Sequence, residues 1–341
     1  MVPLCTYWKR SFLFVICFYH IIVYSNNNIN QELVQISYTT DCLELDIKVY
    51  LAGALINNAN EIGDSNEPLM RDNLRNSIWE TNTNYIPATE PYSSLTGFTH
   101  KGNGGNEQAT PDAFLDRGQN SIVDWVFLEF RDKNNNKHIL ETRSAFVQRD
   151  GDIVDVDGVS KLKLCSNEFE YYVVVRHRNH LGVMSAKAEN LKLNNKVDFT
   201  NDNAARSGVF NYGKNHPMAG KDLNFNNLSQ RSFAFVESNL THYVKALWLG
   251  NAKKDNKIKY YPPNDDLNKI LFSLLNYKSN KSRLNTYEDA IFYNNADLDM
   301  NGKVKFVSPD DDKIILLEQV KNYPLNTRKS PAFDFLLEQI P

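Results

Sequence analysis

The sequence predicts a mainly β protein with a small α module, in which an antiparallel β-sandwich is followed by a duplicated loop-helix calcium-binding module. Three observations predict it. Short stretches of period-two alternation recur between residues 41 and 200, with turn-forming residues between them. Two acidic segments near the C-terminus repeat one order of features, Asn251 aligning with Asp297 at an offset of 46 residues. Helical periodicity is confined to the stretch that follows each acidic segment.

The N-terminus reads as a targeting segment. Lys9 and Arg10 precede an apolar run over residues 12–24, and Asn26-Asn27-Asn28 ends it. A cationic start, a short apolar core and the small residue Ser25 describe a secretory signal over residues 1–25. The run is shorter than the roughly 20 residues that cross a bilayer. A secreted protein, extracellular or at a cell surface, is therefore expected, not an integral membrane protein. Loss of Lys9 and Arg10 would move the formal charge from −3 to −5. That dispersed acidity is the opposite of the basic face nucleic acid selects, so no nucleic-acid partner is expected. Cys5 and Cys17 would leave with the signal, while Cys42 and Cys165 remain. An oxidising compartment permits a disulfide between those two, but sequence leaves open whether they meet.

Along the chain, residues 26–40 read as a flexible N-terminal segment, 41–200 as the β-sandwich, 201–242 as a connector and 243–341 as the duplicated module. Residues 43–51 alternate as a half-buried strand does. Residues 57–119 form a polar stretch long enough to be functional or partly structured, and Met70-Arg71-Asp72-Asn73-Leu74 stands out within it. Strands follow over 122–131 and 138–149, with a turn over 132–137 between them. The acidic segment between Gly151 and Gly158 reads as turn-rich, 171–177 as a strand, and 191–193 with 197–199 as a short pair. Close-spaced short strands without helical periodicity indicate antiparallel packing of sheets.

The two acidic segments carry the chemistry. Asp297-Leu298-Asp299-Met300-Asn301-Gly302-Lys303-Val304 places oxygen-bearing side chains at alternate positions and a glycine where a tight loop turns. Calcium takes six to eight oxygens, and such a loop aims its alternate residues inward. Asp297, Asp299 and Asn301 would supply side-chain oxygens and Lys303 its carbonyl. The closing carboxylate is displaced past Ser308 to Asp310, Asp311 or Asp312. Acids at a helix start also serve the helix dipole, which accounts for those three but not for the upstream alternation. The first segment keeps Asn251, Asp255 and the Lys257 carbonyl, with Asp265 and Asp266 to close it, but Lys253 occupies its third position. An ammonium does not ligate a cation there, so calcium and a metal-free structural copy both stand for this loop. Residues 267–277 and 313–323 read as the two following helices.

These loops resemble dockerin-type calcium modules, which pair two loop-helix halves. The chain from Leu45 onward more closely resembles a family of secreted bacterial surface proteins described as hemagglutinin-like or adhesin-like. The stretches that carry this are Leu45-Asp46-Ile47-Lys48-Val49-Tyr50-Leu51, Met70-Arg71-Asp72-Asn73-Leu74, Ile122-Val123-Asp124-Trp125-Val126, Gln148-Arg149-Asp150-Gly151-Asp152, Val154-Asp155-Val156-Asp157-Gly158, residues 176–184 and Leu247-Trp248-Leu249-Gly250-Asn251-Ala252. The resemblance implies a surface or matrix protein with a C-terminal calcium module. A dockerin resemblance also implies a cohesin-like partner, which no residue here specifies.

Other candidates are weaker. His177 and His180, three apart in Arg176-His177-Arg178-Asn179-His180, would meet only through a turn, and a strand end held by hydrogen bonds is the favoured reading. Asp150, Asp152, Asp155 and Asp157 read as a solvated turn ahead of a cation site. Catalytic motifs with a His-Glu-x-x-His, Gly-x-Ser-x-Gly or phosphate-loop pattern are absent from the sequence. The expected function is that of a non-catalytic, calcium-binding surface or matrix protein acting in adhesion or in binding an extracellular glycan or protein. The alternative is a polysaccharide hydrolase with its site in 57–119, for which Glu90, Asp124 and Glu129 are the available carboxylates.

Overall fold

Alternation of Leu43, Leu45 and Ile47 with Glu44, Asp46 and Lys48 becomes strand β1 (Cys42–Lys48), with Leu45 and Ile47 fully inside. The computed structural model describes residues 42–341 except 57, 59, 60, 82, 116, 117, 167, 201–208, 211–229, 238, 239, 308, 310 and 335. The expected signal over 1–25 and the segment 26–40 lie outside the described residues. After β1 the chain makes one buried helical turn, α1 (Ala52–Leu55). Strands β2 (Ile122–Asp132), β3 (Ile139–Gln148), β4 (Asp152–Val154), β5 (Leu162–Cys165), β6 (Glu170–Arg176), β7 (Val183–Met184), β8 (Glu189–Asn190) and β9 (Lys196–Asp198) complete a nine-stranded sheet. Its order is β5-β1-β4-β3-β2-β6-β7, with β8 on β6 and β9 on β1. The pairs are antiparallel except β1 with β9, which is parallel. The fold is therefore mainly β, built on an antiparallel sheet, with three short α-helices among the described residues.

Three local readings change. Residues 191–193 form a turn, with Leu193 exposed, and the strand lies just before it at β8. The acidic segment after Gly151 contains β4, because Ile153 and Val154 reach both β1 and β3. The later part of the expected connector is strand β10 (Gln230–Glu237), which forms a hairpin with β11 (Leu240–Leu247). Much of the earlier part of that connector lies outside the described residues.

Residues 122–131 of β2 are buried on both faces, although alternation alone suggests a strand with one open side. The long polar region supplies one cover. Trp125 Nε1 donates to the Pro87 carbonyl at 2.8 Å, and the Phe127 ring lies 5.3, 5.2 and 5.0 Å from those of Tyr92, Phe98 and His100. Burial of a side chain such as Phe127 contributes about 3 kcal/mol. Backbone bonds from Met70 to Arg149 and from Thr110 to Val156 tie the region to the sheet. It is a covering layer, which is why so polar a stretch can be ordered.

The duplicated half adds β12 (Lys257–Ile258), α2 (Asp266–Leu275), α3 (Asp312–Asn322) and β13 (Leu336–Leu337). The repeat is longer than the sequence showed. Asn280 and Asn326, again 46 apart, each brace the turn after a helix: Nδ2 donates to the carbonyls of Leu274 and Leu284 in the first copy, and of Val320 and Ser330 in the second. Left-handed backbone recurs at matching positions, Lys254 with Met300, Asn256 with Gly302 and Arg283 with Lys329. The tails then cross. Lys257 of the first loop pairs with Leu337, and Lys303 of the second with Ile291. Glu338 N donates to Asn256 O at 2.8 Å and Phe292 N to Gly302 O at 3.1 Å, again at equivalent positions. Each copy thus completes the other's loop.

β1 and β5 bring Cys42 opposite Cys165, and the two are disulfide-bonded. The bridge closes a long stretch of chain, with a sequence separation of 123 residues. Replacing both cysteines by serine is expected to lower stability by about 2–4 kcal/mol. Thermal unfolding with and without reductant checks this: reductant should lower the wild-type midpoint and leave the double variant unchanged.

Candidate metal centre

The second loop begins as the chain leaves Asn294, whose carbonyl accepts from Asp297 N at 3.3 Å. Leu298 and Met300 are apolar and go into the core, which turns Asp297, Asp299 and Asn301 the other way. Left-handed backbone at Met300 and Gly302, with φ of 58° and 86°, curls the loop around those three. A side chain at Gly302 would also meet the Tyr85 ring at 3.3 Å. The helix that follows brings in Asp312. Asp297, Asp299 and Asp312 are all buried, and one carboxylate oxygen from each lies within 4.8 Å of the others.

Backbone N–H groups hold the three in place. Asp297 accepts from Asn301 N and Gly302 N at 3.1 and 2.9 Å. Asp312 bridges the loop, accepting from Leu298 N at 2.6 Å and Lys305 N at 2.8 Å. Asn301 Nδ2 donates to Asp299 Oδ2 at 3.0 Å, and Asn301 Oδ1 accepts from Lys303 N at 2.8 Å. A carboxylate oxygen that accepts one such bond keeps a second lone pair for a cation. Oxygens around one calcium ion, at 2.3–2.6 Å from it, lie up to about 5 Å apart. The donor set is hard oxygen and its span is right, so the residues fit a divalent cation of that type.

The closing acid is Asp312. Asp311 instead caps α3, accepting from Ile314 N at 2.6 Å. Asp310 lies outside the described residues. The first copy makes the same division: Asp265 caps α2, accepting from Asn268 N at 2.7 Å, while Asp266 accepts from Lys253 N and Lys259 N at 3.0 and 2.8 Å. Asp265 and Asp311, expected as closing ligands, are thus the helix caps, and Asp266 and Asp312 are the acids that reach back over the loops. Adjacent residues at a helix start point in different directions, and the cap position is turned to the helix's own N–H groups.

The loops differ in charge. In the first, Asn251 Oδ1 accepts from Asp255 N at 3.1 Å, and the Lys253 ammonium sits on Asp255 Oδ2 at 3.0 Å. Asp265 and Asp266 are both buried there, but Asp265 is taken up by the helix cap, and burial pushes the Asp266 pKa up to about 8. In the second, burial first and neighbouring carboxylates next push Asp297 and Asp312 well above the usual carboxylate range. Asp299 is raised too, chiefly by burial, although the Arg71 guanidinium, 3.3 Å from its Oδ2, pulls it back. Three carboxylates this close do not ionise together without compensating positive charge. Removing positive charge from the cluster therefore favours proton uptake by it.

Comparison with protein-family models, with curated proteins and with solved structures finds no match.

The surroundings clamp the second loop. Asn179 Nδ2 donates to Asp297 O and Trp79 Nε1 to Asn301 O, each at 2.8 Å. The Lys303 ammonium lies 3.9 Å from the Trp79 ring centre, and α1 packs so closely that a side chain at Gly53 would collide with Leu298 O. Arg71, Trp79 and Asn179 were not read as part of the site. Arg71 lies in the motif-like stretch 70–74 and Asn179 in the stretch 176–184, but neither pattern points to a cation.

Behind Asn179 lies a buried polar chain. A turn brings His177 and His180 together at 2.8 Å between their Nδ1 atoms. His180 Nε2 accepts from Gly53 N at 3.0 Å, so its proton sits on Nδ1, facing His177. His177 Nε2 then donates to Asp124 Oδ2 at 3.1 Å. Asp124 also accepts from Arg178 Nε at 2.8 Å and the Tyr293 hydroxyl at 2.7 Å. Burial alone would raise Asp124, but Arg178, His177 and Tyr293 outweigh it and hold it at about 2. Burial keeps both histidines neutral by lowering their pKa values. Asp124, His177, Arg178 and His180 are buried, and the chain joins the sheet to the loop. Asp150, Asp155 and Asp157 accept from nearby backbone N–H groups and shape their turns.

Two outcomes are expected. Asp124→Ala leaves the buried Arg178 without its charge partner and should cost about 3–5 kcal/mol in chemical denaturation. With chelator present, the raised pKa values of Asp266, Asp297, Asp299 and Asp312 mean the folded state holds protons the unfolded state has released. Their contribution is full below the unfolded carboxylate pKa of about 4 and is lost as pH rises through the folded values. Melting temperature in chelator should therefore fall from acid pH into the neutral range, and Asp297→Asn should flatten that fall.

Proposed function

We propose that this chain is a secreted, non-catalytic binding protein of a cell surface or matrix, whose C-terminal module is held together by one calcium ion in its second loop. The observation that carries the reading is the buried triad of Asp297, Asp299 and Asp312, set in a duplicated loop-helix frame. Asn301 and the Lys303 carbonyl would complete the oxygen set. Calcium would supply positive charge that the buried acids otherwise lack, and the protein's part is to orient the oxygens and exclude water. In the first loop the Lys253 ammonium takes the place of the ion by pairing with Asp255. The Cys42–Cys165 disulfide supports an oxidising compartment, and no described helix is long and apolar enough to cross a membrane.

The resemblance to hemagglutinin-like surface proteins agrees with this reading, and the ligand is an extracellular glycan or protein. A cohesin-like partner gains no support, because the second loop lies against Trp79, Tyr85 and α1. The hydrolase reading gains none either. Asp124 and Glu129 are buried in ion pairs with arginines, and Glu90 turns inward to Tyr92 N and His100.

Calcium should raise the melting temperature, and at a hundred times its Kd it adds about 2.7 kcal/mol. Asp297→Ala and Asp299→Ala should abolish the rise, whereas Asp255→Ala should leave it intact. Calorimetry should count one ion per chain, and Lys253→Asp should admit a second. Equal melting curves in calcium and chelator would sink the assignment.

A further inference from the structure

The covering layer, the first loop and α2 enclose a groove that the calcium reading does not use. Two depressions of about 500 and 490 Å³ meet at Lys269 and Asn294. Phe272, Asn276 and Lys278 line one, and Pro91, Lys254 and Asn295 line the other. Several other lysines of the duplicated half are paired: Lys253 with Asp255, Lys257 and Lys259 with Asp334, and Lys321 with Glu318. Among the described residues no carboxylate reaches the ammonium groups of Lys254, Lys269 or Lys278. Glu90 is the one acid among the lining residues, and its carboxylate is turned into the fold with 1% of its side chain exposed. The groove is thus cationic on a chain of net charge −3.

The two copies differ at the residue that matters most here. Lys254 and Met300 occupy equivalent left-handed positions, yet Met300 is buried in the core and Lys254 lines the groove. Burial and the like charge of Lys269 press on the Lys254 ammonium, and an arriving anion would supply the missing counter-charge. Phe272 presents a ring that is 58% exposed, and Asn276, Asn294 and Asn295 offer amide donors and acceptors. A ring face attracts the C–H face of a sugar, amides match its hydroxyls, and lysines match its acid groups.

We propose that this groove binds an acidic glycan, with Lys254 and Lys269 taking its carboxylate or sulfate groups and Phe272 stacking on a sugar ring. The proposal rests on the reading of the chain as an extracellular binding protein. Nucleic acid is disfavoured, because it needs an extended basic track.

The test is calorimetric titration of the full secreted chain, at fixed free calcium, with hexagalacturonate and a heparin hexasaccharide. Maltohexaose serves as the neutral control, with a glutamate hexapeptide and a hexathymidylate as other anions. Either acidic sugar should bind at least about tenfold more tightly than each of the three comparators. Lys254→Asn, which suits the left-handed backbone, combined with Lys269→Gln should remove that preference. Binding of the acidic sugars no tighter than maltohexaose, the peptide or the oligonucleotide overturns the proposal. So does undiminished binding by the double variant. The calcium melting shift, measured on the same samples, reports the metal reading separately and shows whether the variant is folded.

Discussion

Inside a protein, three carboxylates in contact must either hold protons or share a cation. Asp297, Asp299 and Asp312 are in that position, and much of the C-terminal half is arranged around them. The left-handed turns at Met300 and Gly302, shared with the first copy, curl the loop so that the oxygens of the three acids converge. Arg71 offsets part of the charge, and Asn179 fixes the loop's first carbonyl to the sheet. The first copy relaxes the same constraint by different means. It holds Asp266 alone at the equivalent of the triad, with Asp265 capping the helix, and supplies its own ammonium at Lys253. The copies share a backbone and divide the charge problem between them, one by a residue and the other, in the proposed reading, by an ion.

This arrangement is not a separable appendage. The tails of the copies exchange, so neither loop is complete without the other half. The last tail also reaches the sheet: Glu338 pairs with Arg176 and accepts from Gly182 N, and Arg176 in turn bonds Asn256 Oδ1 in the first loop. Residues of the sheet and of both loop-helix copies belong to one hydrophobic cluster. The Asp124, His177 and His180 chain adds a polar connection from β2 to α1, against which the second loop packs. A perturbation of the loop therefore loads the sheet, and the reverse holds as well.

How much of this the sequence displays depends on whether the interaction is local. β1, β2, β3, β6 and both helices follow from periodicity, because each must put apolar residues on a face. β5 is only four residues long and offers too little period to read, whereas β10 alternates Phe233 and Phe235 with Ala234 and Val236 and was hidden only by the Asn-rich stretch before it. The alternation of Asp297, Asp299 and Asn301 with Gly302 is a local geometric requirement and was legible. The choice among Asp310, Asp311 and Asp312 was not, since a cap and a ligand at adjacent positions carry the same carboxylate. Arg71 and Asn179 reach the loop from 228 and 118 residues away, and the stretches they sit in carry nothing that ties them to it. Lys253 was legible as an unfit ligand, but its pairing with Asp255 needed the folded loop.

The central claim is that calcium replaces protons on the buried triad, and the most direct measurement is the proton count that accompanies its binding. Calcium titrations at about pH 6, in buffers of differing ionisation enthalpy, give that count. The account predicts protons released to the buffer with each ion bound, fewer as pH is raised, and none with Asp297→Ala, which should bind no ion. Absence of calcium binding, or binding without proton release at any pH, would contradict it.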